Sequence, residues 1–438
     1  MGLGILGGGV ATAKWLIGQG AELTVTDLKD AEHLAPSLAK LKEFEKHIRF
    51  VIGRHEEKDF SKNDIVVINP DVPADNPFVK IAREAGKPVE NELTLFYRFC
   101  PSKKITAITG TRGKTTVTNW IAYLLKSKNP DTLVVGNSPD NPLLQEIGKC
   151  GPNTDVVIET PSFLLEICDK SEFVPHLAVI TNLYRDHLNR HKSMEGYAEA
   201  KANIFRWQKE GDFLILNESD KWTKFFVGKK PKSKVLFFSG KDETIGEEFA
   251  RQWGEHNLQN FSAASLAARA LGVSEDNIIK NIPSLPQIKF RQEKIFENDQ
   301  LEIYNDTAAT SPEATIAVVK RFNISHSDFI LISGGTDRDL DFAEWAAEIK
   351  KNVKPQNLLL LSGSATEKMK RELGWQSYQE FDDLGGCLSK ALEVAGRFKS
   401  KATIVFSPSA KSFEKFKNEF DRGEKFNKLV VEMTNADH

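Results

Sequence analysis

The chain has 438 residues, a formal net charge of -2, and 40% hydrophobic against 27% charged residues, the composition of a soluble globular protein of two to four domains. The near-neutral balance excludes a broad basic field for nucleic acid or anionic lipid, so any anion site must be local. Cys100, Cys150, Cys168 and Cys387 are scattered without a C-x-x-C pair, so neither a zinc site nor a disulfide framework is suggested, and reduced thiols in a cytosolic protein are the simplest reading.

No apolar run approaches the roughly 18 residues of a membrane span, so no membrane insertion is expected, and the first residues carry no secretory pattern. Strand-like apolar runs alternate with helical stretches almost throughout, which predicts an α/β protein with mostly parallel sheets. Three blocks are expected, residues 1–101, 102–286 and 287–438. They are divided at Pro101-Ser102-Lys103-Lys104 and Pro283-Ser284-Leu285-Pro286.

The first block opens on Gly2-Leu3-Gly4-Ile5-Leu6-Gly7. A helical stretch, Ala11–Gln19, and a strand, Leu23–Thr26, follow, and the strand ends at Asp27, 20 residues beyond Gly7. Alone, this G-x-G-x-x-G reads as a dinucleotide fingerprint, and a nicotinamide-dependent oxidoreductase is one reading of it. Such a motif should follow a strand. A first strand is therefore expected to be missing through truncation or a misassigned start, and about six upstream apolar residues are expected to restore stability and substrate affinity. A second strand is predicted at Asp64–Asn69.

The second block opens on the apolar run Ile105–Thr109. Thr109-Gly110-Thr111-Arg112-Gly113-Lys114-Thr115-Thr116 follows, and then a helical stretch from Val117 to Lys126. Strand, glycine loop and helix are what a phosphate site requires. Glycines let amides turn inward, the helix N-terminus favours an anion, Lys114 can reach β- and γ-phosphates, and the Thr115 hydroxyl can ligate magnesium. Ile108 stands where the generic motif has its first glycine, so this is a compact variant. Strands are predicted at Asp155–Ile158, Leu177–Thr181 and Asp212–Leu216. Glu159 then ends a strand, a usual place for a metal-directed carboxylate. His187 falls in a loop after a strand, as a structural residue or a ligand. Lys201 lies on a helical stretch, where exposure is the default. Asn257 and Asn260 share a helix face, to read a base edge or to cap the helix. The third block carries predicted strands at Phe329–Ser333, Asn357–Ser362 and Ala402–Ser407.

Seven segments, in order along essentially the whole chain, resemble the Mur ligase family. They are the phosphate loop, Glu159-Thr160-Pro161-Ser162-Phe163-Leu164-Leu165-Glu166, Asn182–His191, Tyr197–Lys201, His256–Asn260, Asn305–Thr310 and Ser407–Phe413. The Glu159–Glu166 segment is most similar to the members that add D-glutamate to UDP-N-acetylmuramoyl-L-alanine. The resemblance implies a Rossmann-like N-terminal domain for the UDP-substrate, a central P-loop ATPase-type domain and a C-terminal Rossmann-like domain for the amino acid. It implies ATP, two magnesium ions and a monomer. ATP is assigned to Gly110, Thr111, Arg112, Gly113, Lys114, Thr115, Thr116, Asn257, Asn260, Arg291 and Asp306. The UDP-substrate falls to Gly4, Leu6, Asp27, Asn137, Ser162 and His187, and the amino acid to Thr310, Arg338, Ser412 and Phe413. Lys114, Glu159, His187 and Lys201 form the catalytic set, and Thr115, Glu159, His187 and a carbamylated Lys201 the magnesium set. The chain departs from the pattern at Phe290 for histidine, Ala308 for lysine, Asn189 for aspartate and Pro161 for serine. Loss of the lysine at 308 is expected to relax amino-acid choice or weaken catalysis.

Overall fold

The computed structural model describes residues 1–5, 7–136, 142–168, 173–240, 245, 247–325 and 328–434. The chain divides into two compact units, Met1–Lys241 with Gln259–Leu285, and Asp242–Leu258 with Pro286–His438.

The first unit contains two short parallel pairs and one six-stranded sheet. β1 (Leu23–Asp27) pairs with β2 (Ile48–Ile52), and β3 (Val66–Val67) with β4 (Val89–Glu90). The segment Met1–Leu3 is hydrogen-bonded to both neighbourhoods. Gly2 N donates to Thr26 O at 2.8 Å, and Asn69 N donates to Met1 O at 2.9 Å. A cavity of about 470 Å³ adjoins this segment, lined by Leu16, Leu23, Val25, Phe60 and Val66.

The large sheet comprises β5 (Ile105–Thr109), β6 (Leu133–Gly136), β7 (Val156–Glu159), β8 (Leu177–Ile180), β9 (Phe213–Asn217) and β10 (Lys234–Phe238). Its order is β10-β9-β8-β5-β7-β6, and every pairing is parallel. β5 lies centrally and is buried along its whole length. Because the chain leaves β5 for one side of the sheet and returns on the other at β8, a crevice opens at the carboxyl end of β5, where parallel sheets bind ligands.

The second unit carries β11 (Glu293–Glu297), β12 (Leu301–Asn305), β13 (Phe329–Gly334), β14 (Leu358–Leu361), β15 (Gln379–Phe381) and β16 (Ala402–Phe406), in the order β11-β12-β16-β13-β14-β15. Only the edge pair β11–β12 is antiparallel, with a register shift between Lys294 and Phe296. Along β14, Leu358 and Leu360 pack into one core while Leu359 and Leu361 pack into another. Both faces are therefore buried, which explains a continuous leucine run instead of alternation. The loops after β12, β13 and β16 all leave from carboxyl ends.

Candidate functional site

Gly110 and Gly113 have φ of 147° and 81°, values that favour glycine. A Cβ on Gly110 would lie 1.9 Å from Thr181 Oγ1, and one on Gly113 would lie 2.2 Å from Asn260 Oδ1. The loop is latched to the end of β8. Thr111 N donates to Asn182 O at 3.0 Å, Arg112 N to Asn182 Oδ1 at 2.8 Å, and Thr181 Oγ1 to Arg112 O at 2.6 Å. Lys114 begins the helix Lys114–Lys126 and folds its ammonium back onto Thr111 O at 3.1 Å. The same helix carries Thr115 and Thr116 in its first turn. Asn260 lies on the helix His256–Ala270, and its approach to Gly113 brings that helix to the loop. Asn257 Nδ2 donates to Trp253 O at 2.7 Å.

Beneath the loop lies Lys201, only 1% exposed, so the default of a solvated lysine is corrected. The helix Met194–Ala202 turns it inward, where Nζ donates to Gly110 O at 2.9 Å and Thr109 Oγ1 at 3.3 Å. The ammonium also sits 4.5 Å from the centre of the Tyr197 ring. Burial, then the positive charge of Lys114, holds its pKa well below the ordinary lysine value, with Asp186 and Glu159 opposing. The amine is thus disposed to lose its proton in this setting.

Glu159 ends β7 beside Ile108 of β5, and its side chain crowds Gly136, where an added Cβ would come within 2.9 Å. His187 is left-handed at φ 53°, with Nε2 3.7 Å from Asp186 Oδ2 and its ring edge-on to Phe163 at 4.9 Å. His191 was not singled out by sequence. It is buried against Phe163 and Tyr197, and Ser162 Oγ lies 3.0 Å from its Nε2. Burial pushes its pKa down to about 4, so it is neutral near pH 7. Glu166 holds Arg190 with two bonds of 2.7 Å. A His next to an Arg in a polar loop gives no local signal of such burial.

Among the described residues, no three His, Cys, Asp or Glu side chains are grouped as around a metal ion. The hydroxyl of Thr115 and the carboxylate of Glu159 are oxygen donors of the kind magnesium takes alongside water and phosphate, whereas His187 offers a nitrogen. Lys201 as an amine is not such a donor.

In the first block, Gly4 N donates to Asp27 Oδ2 at 3.1 Å and Ser37 Oγ to Gly4 O at 2.7 Å, so Asp27 and the glycine turn are held together. Leu6 and Asn137 lie outside the described residues.

In the second unit, Asp306 follows β12 and is buried. Its Oδ2 accepts from Ser407 Oγ at 2.8 Å and its Oδ1 from Gln292 N at 3.0 Å. Burial, outweighing those bonds, pushes its pKa up to about 7. Arg291 is exposed between Phe290 and Gln292, both of positive φ, at 64° and 48°.

The loops after β13 and β16 are zipped by Thr336 and Lys411, which exchange backbone bonds of 2.9 and 3.1 Å. This brings together Arg338, whose guanidinium lies 4.6 Å from the Phe413 ring, with Ser412 and Phe413. Thr310 joins them through a 3.1 Å bond from Lys411 Nζ. Arg422, wholly buried, donates to Thr307 O, Ala410 O and Lys411 O at 2.9, 3.1 and 3.0 Å. It fastens the loops from behind. Lys411 and Arg422 were not singled out by sequence; an isolated basic residue has no spacing signature.

Strand, glycine loop, helix and lysine define an α/β domain of the phosphate-binding P-loop class. Residues 108–266 match the Mur ligase middle domain and residues 1–91 the Mur ligase MurD-like N-terminal domain. The chain belongs to the Mur ligase family. It is 36% identical over 470 residues to the UDP-N-acetylmuramoylalanine–D-glutamate ligase of Roseiflexus sp. (strain RS-1), covering 99% of this chain and 98% of that one. It is 34% identical to the enzyme of the same name from Borreliella afzelii (strain PKo), covering 98% and 96%. Its fold is similar to that of the UDP-N-acetylmuramate–alanine ligase of Thermotoga maritima, with a TM-score of 0.58, 18% identity and coverage of 100% and 98%. A second similar structure is the UDP-N-acetylmuramoylalanyl-D-glutamyl-2,6-diaminopimelate–D-alanyl-D-alanyl ligase of Acinetobacter baumannii, with a TM-score of 0.63, 16% identity and coverage of 95% and 91%.

Proposed function

We propose that the chain is an ATP-dependent ligase that joins D-glutamate to UDP-N-acetylmuramoyl-L-alanine in peptidoglycan precursor synthesis. Full-length similarity to relatives of that name supports the substrates. The observation that carries the chemistry is the phosphate loop clamped between β8 and Asn260, with Lys114 at its helix start and Lys201 beneath. In this reading residues 1–101 take the UDP-substrate, 102–286 take ATP and 287–438 take the amino acid.

The substrate carboxylate attacks the γ-phosphorus of ATP, releasing ADP and forming an acyl phosphate. The amine of D-glutamate then attacks the acyl carbon and phosphate leaves. The loop amides and Lys114 offset charge that develops on the transferred phosphoryl group. Magnesium, when bound by Thr115, Glu159 and His187, supplies further charge neutralisation. A deprotonated Lys201 is nucleophilic toward carbon dioxide, and the resulting carbamate would turn a misplaced cation into an oxygen donor for the ion. Arg338, with its planar fork, suits a carboxylate of the amino acid.

The test is phosphate release with ATP, magnesium and UDP-N-acetylmuramoyl-L-alanine across D- and L-amino acids. Product with D-glutamate alone is expected. Release with another amino acid, or with none, overturns the substrate assignment.

A further inference from the structure

We propose that Lys411 holds a carboxylate of the incoming amino acid, a role that rests on the ligase reading above. Three observations converge on it. The first is placement. The Lys411 backbone is fixed by Thr336 through both its N–H and its carbonyl, and by Arg422 through the same carbonyl. Its stem therefore leaves from a rigid base and reaches across to the loop after β12, where Nζ meets Thr310 Oγ1 at 3.1 Å.

The second is an unmet acceptor need beside it. Ser412 is 2% exposed, and its hydroxyl has no hydrogen-bond partner. A buried hydroxyl left unpaired costs free energy, and a ligand atom that pairs with it removes that cost. The third is charge. Arg338 has no carboxylate partner among the described residues and lies over Phe413, and the Lys411 ammonium reaches the adjoining loop at Thr310, so two cations extend over one small set of loops. Such a set attracts an anion, and every amino acid brings an α-carboxylate.

The placement also bears on Ala308. Thr310 N donates to Ala308 O at 3.0 Å, so the Lys411 ammonium reaches the same short turn that lacks a lysine at 308. The positive charge of this turn is supplied from the neighbouring loop.

The experiment compares the full-length enzyme with Lys411→Met, which keeps the aliphatic stem, and Lys411→Arg, which keeps the charge. Steady-state constants are read for each of the three substrates, with the amino-acid panel run on every variant. Lys411→Met should raise the KM of the amino acid about 10–100-fold, leave the KM of ATP and of the UDP-substrate unchanged, and keep the melting temperature. Lys411→Arg should restore most of the affinity. An amino-acid KM within twofold of the parent in Lys411→Met, or equal losses for all three substrates, overturns the proposal. If the parent uses D-glutamate and Lys411→Met is unaffected, only the role of Lys411 falls. If the parent uses a different amino acid and its KM rises in Lys411→Met, the D-glutamate reading falls and the role of Lys411 stands. If no amino acid is used, both fall.

Discussion

Two glycine turns in the first unit look alike in sequence and are held in opposite ways. The turn at Gly110–Gly113 leaves a fully buried central strand, is bonded to the adjacent strand end, and faces Lys114 and Lys201. Met1 and Gly2 are bonded between the β1 and β3 neighbourhoods, and the glycines that follow lie beside carboxyl groups. Asp27 accepts from Gly4 N, and Glu92 lies 3.8 Å from where a Cβ on Gly8 would be. Glycine spacing therefore marks a sharp turn in both places, while the charges beside the two turns differ in sign.

The largest effect should come from Lys114→Ala. Product formation is expected to fall at least about 1,000-fold, the scale of losing a main charge-stabilising group. Retained turnover would mean that the Gly110–Gly113 turn is not the ATP site. Next comes a paired alanine test. Gly110→Ala puts a Cβ 1.9 Å from Thr181 Oγ1 and 3.2 Å from Asn182 N, so both folding and ATP affinity should suffer. Gly7→Ala, at φ 100° with nothing within 4 Å, should cost only the left-handed strain of about 1–2 kcal/mol. Equal melting temperatures for the two variants would break the comparison.

A further effect concerns pH. Burial raises the Glu92 carboxyl to about 7, so the folded state binds its proton more tightly than the unfolded state. Its stabilising contribution is complete below the ordinary carboxyl value of 4.5 and is lost as pH rises through 7. Glu92→Gln should remove that slope, gaining stability over the parent between pH 4.5 and 7 by on the order of 3 kcal/mol at most. Denaturant melts at pH 5 and 8 measure it, and parallel pH curves for the two proteins would count against a buried, protonated Glu92.

The frame of the fold was open to sequence reading wherever a strand is a short run of apolar residues between turns. β5, β8, β13 and β16 start where the runs start, and β7 and β9 are offset by one residue. The predicted strand at Asp64–Asn69 shrinks to Val66–Val67, because pairing needs a partner of equal length and β4 offers only Val89–Glu90. The phosphate loop was legible because strand, glycines, lysine and helix are contiguous. Lys201 was not, since its burial is set by Thr109 and Gly110, 92 and 91 residues away. The links among Thr310, Arg338 and Lys411 depend likewise on the parallel order β12-β16-β13, which no local pattern reports.

Arg422 sits near the start of the final helix, Glu419–Thr434, yet its guanidinium fastens the turns that follow β12 and β16. A chain being made on the ribosome will have synthesised every strand of the second unit before this residue appears. The loops that carry Thr310, Lys411 and Ser412 are therefore among the last parts of the protein to set. A nascent chain stopped just short of Arg422 would carry all six strands but lack the fastening that joins these loops.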